Sequence, residues 1–187
     1  MARPLRRLLA LQWPGRKAGP VGSSSRLRTG FYSLRQAPSH RGCRHSGIAF
    51  TSERQLLAGE IPRIAGMSYR LTSRLRPYSE ASATIVWKAL YELEIEKSTI
   101  LWNALQMHPH EPENEQLNRT PTSEEFEIGK RALKMLVRRF PSAKVVAVGR
   151  KAEKSLKSMG IQAEHVPHPA RGGAAAFRKE LKRLVSG

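Results

Sequence analysis

The sequence has little cysteine, few aromatic residues and no long apolar run. Cys43 is its only cysteine, which excludes an internal disulfide, a cysteine-built zinc site and an iron–sulfur cluster with four cysteine ligands. No apolar stretch approaches the roughly 20 residues that span a bilayer, so we expect no integral membrane protein. Aromatic residues make up 6% of the chain and are scattered, which disfavours an RNA-binding surface of stacking side chains.

Acidic residues are absent from the first 50 positions, which hold ten basic residues. The whole chain of 187 residues has 33 Lys and Arg against 15 acidic residues, a formal net charge of +18. This excess favours an anionic partner, most simply nucleic acid. The length is sufficient for one domain with a buried core.

The N-terminal segment, residues 1–35, is rich in Arg, Gly, Pro and Ser and shows no sustained periodicity, so we predict that it is basic and disordered. Three explanations stay open for it: an arm that binds DNA, an organelle transit peptide, and an unselected sequence from a misread gene start. The apolar run at residues 8–11 is too short for a secretory signal.

From residue 79 onward, amphipathic stretches alternate with short β-prone runs. The predicted order is helix, strand, helix, strand, helix, strand, helix, with the strands at 99–103, 144–149 and 161–166. Residues 107–121 are predicted to form a loop, and Thr122 with Glu125 forms a capping box for the next helix. Such alternation predicts an α/β fold in which helices cover both faces of a parallel sheet.

Three residues follow predicted strands directly or closely: Asn103, Gly149 and His168. Ligands of open α/β sheets bind outside the carboxyl ends of the strands, so we expect these residues near one edge of the sheet. The amide of Asn103 can match the O4 and N3–H edge of a uracil-like base, or it can cap the following loop. His168, between two prolines, can donate to an oxygen that gains negative charge, or it is an ordinary loop histidine.

Other candidate side chains are less specific. Phe50 can stack on a base or pack in the core. Arg171 and Gly172 precede a helix and suit a phosphate, although a solvated basic turn has the same composition. The histidines of the 107–121 loop lack the spacing of a closed zinc site, so we predict no metal.

Taken together in this order, several stretches resemble the uracil-DNA glycosylase superfamily, particularly its bacterial uracil-DNA glycosylase-like branch without an iron–sulfur cluster. The matching stretches lie at residues 37–43, 46–54, 102–110, 118–122, 145–150 and 168–169. Each match alone is weak, but their order and spacing are specific. The resemblance runs from Gln36 to the end, which predicts a glycosylase-like domain at residues 36–187.

The resemblance implies a three-layer α/β/α sandwich with a short parallel sheet. It also implies an enzyme that flips a uracil out of DNA and hydrolyses its N-glycosidic bond, without a cofactor or a metal. By position, Asn103 reads the uracil edge, Phe50 stacks on the base and His168 hydrogen-bonds O2 as the base leaves. Gln36 and Ala37 fall in the first motif, which holds the base and the attacking water.

The first motif of the family reads like Gly-Glu-Ala-Pro-Gly, whereas this chain has Arg35-Gln36-Ala37-Pro38-Ser39. A glutamine can orient a water but cannot act as a base at neutral pH. The preceding residues 31–34 are a poor replacement for an apolar central strand. We therefore expect the first central strand to be degraded or missing, with the N-terminal portion replaced through a frameshift or a wrong start. The second motif also departs from the family, which leaves the DNA wedge unassigned.

The leading prediction is a uracil-DNA glycosylase-like protein of base excision repair, whose activity we expect to be weak or lost because its first motif is altered. The alternative is a non-catalytic, basic DNA-binding remnant of that fold, and a small RNA- or ribosome-associated protein ranks last. We expect DNA, single- or double-stranded, as the partner, with Arg171 and Gly172 among the DNA contacts. We also expect the protein to be a monomer in the bacterial cytoplasm, without a membrane partner. Organelle targeting by the Arg-rich segment stays open.

Overall fold

A computed structural model describes residues 31–35, 43–62, 64, 66 and 68–187. Within these residues, none of the helices is both long and apolar enough to cross a membrane. The helices and strands of the described residues are, in chain order, β1 (Phe31–Arg35), α1 (Cys43–Ser46), α2 (Glu53–Leu57), α3 (Ala81–Glu92), β2 (Thr99–Asn103), β3 (His110–Glu111), β4 (Asn114–Asn118), α4 (Ser123–Arg139), β5 (Lys144–Val148), α5 (Arg150–Ser158), β6 (Glu164–Val166) and α6 (Ala174–Ser186).

Four of the strands form an open parallel sheet with the order β2-β1-β5-β6. Each step from one strand of this sheet to the next along the chain passes through at least one helix, as parallel pairing requires. The predicted alternation from residue 79 and the parallel sheet are confirmed.

The pleat of β5 divides the core into two halves. Val146 and Val148 belong to a cluster with buried residues of α3 and α6, whereas Ala147 belongs to a second cluster with residues of α4 and α5. Since successive side chains of a strand point to opposite faces, the two clusters lie on opposite sides of the sheet. The domain is therefore the three-layer α/β/α sandwich that the resemblance implies.

The first central strand, which is expected to be degraded or missing, is present. The backbone of β1 pairs with β2 on one side and with β5 on the other, so it lies inside the sheet. Ladder hydrogen bonds come from the backbone, so a segment with one serine and one arginine still forms a strand between two strong neighbours.

This pairing also changes the expected domain boundary. A boundary after residue 35 separates β1 from the sheet to which it pairs, so residues 31–35 belong to the folded domain. Disorder is predicted for residues 1–35; residues 31–35 form β1 instead, and residues 1–30 lie outside the described residues, as do Gln36 and Ala37.

The 107–121 segment is more ordered than the predicted loop, because β3 and β4 pair there as a short antiparallel hairpin. Arg119 joins this hairpin to α4 through two hydrogen bonds to the Glu125 carboxylate, at 2.8 and 2.7 Å.

The predicted capping box of α4 is confirmed. The Thr122 hydroxyl accepts a hydrogen bond from the backbone amide of Glu125, and the Glu125 carboxylate accepts one from the backbone amide of Thr122. The Arg119 bond, with the capping bond, holds the pKa of Glu125 at about 2.

Candidate active site

The four parallel strands end at the same level. Arg35 pairs with Asn103 across β1 and β2, and Val148 pairs with Val166 across β5 and β6. The pairing of Leu34 with Ala147 places Arg35 level with Val148. Asn103 therefore lies at the carboxyl edge of the sheet, and Gly149 and His168 lie one and two residues beyond it.

Asn103 is buried, with 7% of its surface exposed, and its side chain is held from outside its own strand. Its Nδ2 donates to the sulfur of Cys43 in α1 at 3.5 Å, and its buried Oδ1 has no hydrogen-bond partner among the described residues. The following loop is fixed differently, because Gln106 donates to the backbone carbonyl of Asn103 at 2.7 Å. The side chain thus does not cap that loop, and it retains a buried acceptor.

Close packing of α4 fixes the chain just after Asn103. A Cβ on Gly129 would lie 2.2 Å from the backbone oxygen of Ala104, so only glycine permits this approach. Ala104 and Leu105 are themselves completely buried. The end of β2 is therefore rigidly placed against the helix layer.

His168 lies above the end of β5, although it follows β6. The Gly149 amide donates to the Val166 carbonyl at 2.8 Å, and a Cβ on Gly149 would lie 3.0 Å from the Cβ of His168. Gly149 has a φ of +84°, a conformation that favours glycine. Because Gly149 has no side chain, the imidazole of His168 can lie close to the end of β5.

A backbone hydrogen bond defines the tautomer of His168. The Ala170 amide donates to Nδ1 at 3.1 Å, so Nδ1 acts as an acceptor and carries no proton. The proton of the neutral ring then resides on Nε2, which is a hydrogen-bond donor. A hydrogen-bond donor of this kind can stabilise an oxygen that gains negative charge.

Asn103 and His168 approach the same edge from two different strands. One strand, β1, separates β2 from β5, so the ends of β2 and β5 are about 10 Å apart. Arg35, the residue before Gln36, pairs with Asn103 in this interval. The geometry brings together two of the predicted site residues and the end of the strand that precedes the first motif.

Phe50 lies beside His168 at this edge of the sheet. It is completely buried in the core cluster next to α3, and its ring centroid is 6.3 Å from that of His168. Its φ of +51° is unusual for a bulky residue and indicates a locally strained turn. Its burial agrees with core packing, one of the two predicted roles, and stacking on a base stays a prediction.

Polar contacts hold this turn in place. The Ser46 hydroxyl donates to the Thr51 carbonyl at 2.6 Å, and the Trp87 indole donates to the Thr51 hydroxyl at 3.1 Å. The segment from Cys43 to Phe50 thus contacts Asn103 at one end and His168 at the other.

Glu53 is a buried residue near the site for which the sequence predicts no role. It is completely buried at the start of α2, and its carboxylate accepts five hydrogen bonds from Arg70, Leu71, Thr72 and Tyr78. Burial raises the pKa of this carboxyl, but the bonds from Arg70, Tyr78 and Thr72 outweigh it and bring the pKa to about 2. Glu53 is the first acidic residue of the chain, but its position in the sequence does not indicate which residues it contacts.

Arg171 and Gly172 lie in the turn that follows His168. Both are exposed, with φ of +54° and +82°. A Cβ on the next residue, Gly173, would lie 2.2 Å from the His168 carbonyl oxygen, so α6 begins tightly against this turn. The structure places the predicted phosphate-contacting residues on the surface beside His168, and their contact with DNA stays a prediction.

The opposite edge of the sheet has different properties. An open groove of about 640 Å³ lies at the amino ends of β5 and β6, where Lys144 and Glu164 line it. It does not include Asn103 or His168. Among the described residues, no group of three or more His, Cys, Asp or Glu side chains could hold a metal ion.

Comparison with known families assigns the chain to a superfamily. A family model described as the uracil DNA glycosylase superfamily matches residues 34–185. The chain belongs to this superfamily. No curated protein sequence matches the chain. Membership of the uracil DNA glycosylase superfamily indicates a glycosylase-like function on DNA, whereas the roles of individual residues stay predictions.

The contact between Gly149 and His168 gives a first prediction for this uracil DNA glycosylase-like domain. Gly149→Ala is expected to lower the free energy of unfolding by about 1–3 kcal/mol, because a φ of +84° with a ψ of 159° is essentially confined to glycine and the added Cβ would lie only 3.0 Å from the His168 Cβ. Gly160→Ala is a matched control, since Gly160 has a φ of +71° but a Cβ added to it would meet no atom within 4 Å.

Urea unfolding compares the stability losses of the two variants, and NMR signals of the His168 ring report displacement of the imidazole. We expect shifted His168 signals in Gly149→Ala alone. Equal stability losses and unchanged imidazole signals in both variants would contradict the close packing.

Proposed function

We propose that this chain excises uracil from DNA by hydrolysing the N-glycosidic bond of a flipped nucleotide. The observation that carries the proposal is the convergence of Asn103 and an Nε2-protonated His168 at one edge of the sheet. Cleavage of the glycosidic bond generates a uracil anion and a sugar cation. Such a reaction requires a reader for the base edge, a donor for the developing negative charge and a water on the far side of the sugar.

Asn103 is the proposed reader of the base edge. Its buried Oδ1 is an acceptor that N3–H of uracil satisfies, and Nδ2 has a second proton to donate to O4. The bond to Cys43 uses the other Nδ2 proton and fixes the plane of the amide. An unpartnered buried acceptor is costly, so pairing with N3–H favours uracil over cytosine, which has no N–H at that position.

His168 is the proposed donor to uracil O2. Because Ala170 occupies Nδ1, the imidazole presents Nε2–H without first gaining a proton. A neutral donor is sufficient, since the hydrogen bond strengthens as charge accumulates on O2 during departure of the base.

Gln36 is proposed to orient the attacking water by hydrogen bonding. An amide does not remove a proton at neutral pH, so this step relies on the reactivity of the sugar cation and is slower than with a carboxylate. A non-catalytic DNA-binding domain is the second candidate function, and the replacement of the family's acidic residue by Gln36 is the observation that favours it.

Single-turnover release of uracil from a single-stranded oligonucleotide tests the proposal. We expect release by the wild-type chain and at least about a 100-fold slower release by Asn103→Ala, because the base loses its edge contacts. Gln162→Ala, an exposed amide at the opposite edge, is the matched control and should retain wild-type rates. Salt-dependent DNA binding by the wild-type chain without any release of uracil would contradict excision and support the second candidate.

A further inference from the structure

One face of α4 carries a row of basic residues without ion pairs. Arg131, Lys134 and Arg138 are exposed, and their spacing of three and four residues aligns them along the helix as a row, here called the α4 stripe. None of the three forms an ion pair among the described residues. The hydrogen bond from Lys130 at 2.9 Å, and then the charges of Lys134 and Arg131, lower the pKa of Glu127, so this nearby carboxylate already has a partner.

The length and the surroundings of the α4 stripe suit a polyanion. Residues 128–152 contain eight basic residues and no Asp or Glu. The seven-residue separation of Arg131 and Arg138 corresponds to about 10 Å along a helix. One strand of duplex DNA carries a phosphate about every 3.4 Å along the duplex axis, so this length is matched by about three phosphates.

The α4 stripe faces away from the candidate active site. Gly129 packs against Ala104 at the end of β2, and a helical residue two positions later is rotated by about 200°, so Arg131 lies on the outer face. The N-terminal end of α4 is the end nearest the carboxyl edge, because the helix returns to the start of β5. Exposed Glu124 and Glu127 lie at that end. DNA bound at the carboxyl edge therefore meets carboxylates before it reaches the stripe, and the two surfaces do not form one continuous track.

The apolar face of α4 is already used inside the domain. Leu133 is completely buried, and Leu136 and Val137 pack against the same core cluster. A basic amphipathic helix binds a lipid surface through an apolar face that is free to insert. On α4 the exposed large apolar residues are single ones about 10 Å apart, Ile128 and Met135. A row of charge without a free apolar face favours a nucleic-acid backbone over a membrane.

We propose that the α4 stripe binds the backbone of a second DNA segment, so that one protein molecule bridges this segment and the segment at the carboxyl edge. The choice of DNA follows from the superfamily, whereas the proposal does not depend on excision of uracil. Contacts to phosphates alone are independent of base sequence and strongly dependent on salt. A molecule that holds two segments can pass from one to the other without dissociating.

Capture of a fluorescent duplex by a second duplex fixed to beads tests the proposal, with no uracil in either duplex. We expect the full chain to join the two duplexes. Combined Arg131→Ala, Lys134→Ala and Arg138→Ala should reduce capture at least about 10-fold and lower the slope of log capture against log salt concentration by about three. The control variant loses the same number of charges and should retain capture, since alanine replaces three exposed lysines elsewhere: Lys88, Lys97 and Lys179.

Release of uracil from a short single-stranded oligonucleotide is the second readout, and both triple variants should retain the wild-type rate. Equal capture by the two triple variants, or no capture by the full chain, overturns the proposal. It is also overturned if the stripe binds phosphatidylglycerol vesicles instead of DNA, or if the wild-type chain sediments as a dimer that the stripe variant loses. Stripe-dependent capture without release of uracil supports the stripe and removes the proposed function. Release of uracil without capture removes the stripe alone.

Discussion

His168→Ala is expected to slow single-turnover release of uracil by about 100- to 1,000-fold, the usual cost of one donor to a developing oxyanion. The reason is the defined proton on Nε2, which follows from the 3.1 Å bond between the Ala170 amide and Nδ1. Binding of uracil-containing DNA should change much less than the rate, because the bond to O2 strengthens chiefly as the base departs.

Conservative variants separate this role from a structural one. The amide nitrogen of glutamine can occupy the position of imidazole Nε2, whereas that of asparagine corresponds to Nδ1. We therefore expect partial activity in His168→Gln and none beyond the alanine level in His168→Asn. His165→Ala, in β6 below the edge, is the control histidine and should retain activity. Equal rates in wild-type protein and His168→Ala would contradict the donor role.

The periodic part of the fold was predictable because local and long-range preferences agree there. The β5 run is apolar and bounded by Pro141 and Gly149, and α4 begins with a capping box that needs no tertiary partner. Once the strands are known to be parallel, topology alone brings their carboxyl ends to one edge. Asn103 and His168 were therefore assignable to the same region from the sequence alone.

β1 was not predictable with the same reasoning. Its five residues include one serine and one arginine, so no apolar pattern identifies a central strand. Its place depends on hydrogen bonds to β2 and β5, which follow about 65 and 110 residues later in the chain. The β3–β4 hairpin was missed for a related reason, since mostly polar residues form it and Arg119 anchors it to α4.

The role of Glu53 was likewise hidden from sequence. Locally it is an acidic residue in the first turn of a short helix, where acids are common. The donors that surround it follow it by 17 to 25 residues. Only the folded chain shows that this one carboxylate organises a surface loop next to the candidate active site.

Glu53→Gln is expected to lower the free energy of unfolding by about 2–4 kcal/mol, measured by urea unfolding at neutral pH. The variant keeps the side-chain size but replaces one acceptor oxygen by an NH₂ group that faces N–H donors, and it leaves the Arg70 charge without its partner. Glu127→Gln is the control, because Glu127 is an exposed partner of Lys130 and such pairs contribute little.

The difference between wild-type protein and Glu53→Gln should depend on pH in a defined direction. The pKa of Glu53 is about 2 in the folded chain, below its ordinary value of 4.5, so the unfolded chain binds the proton more tightly. The stabilisation is then complete above about pH 5 and is lost as the pH falls toward 2. Unfolding curves across this range should therefore converge for the two proteins at low pH. A constant difference at every pH would show that the charge of Glu53 does not hold the segment from residue 70 to residue 78.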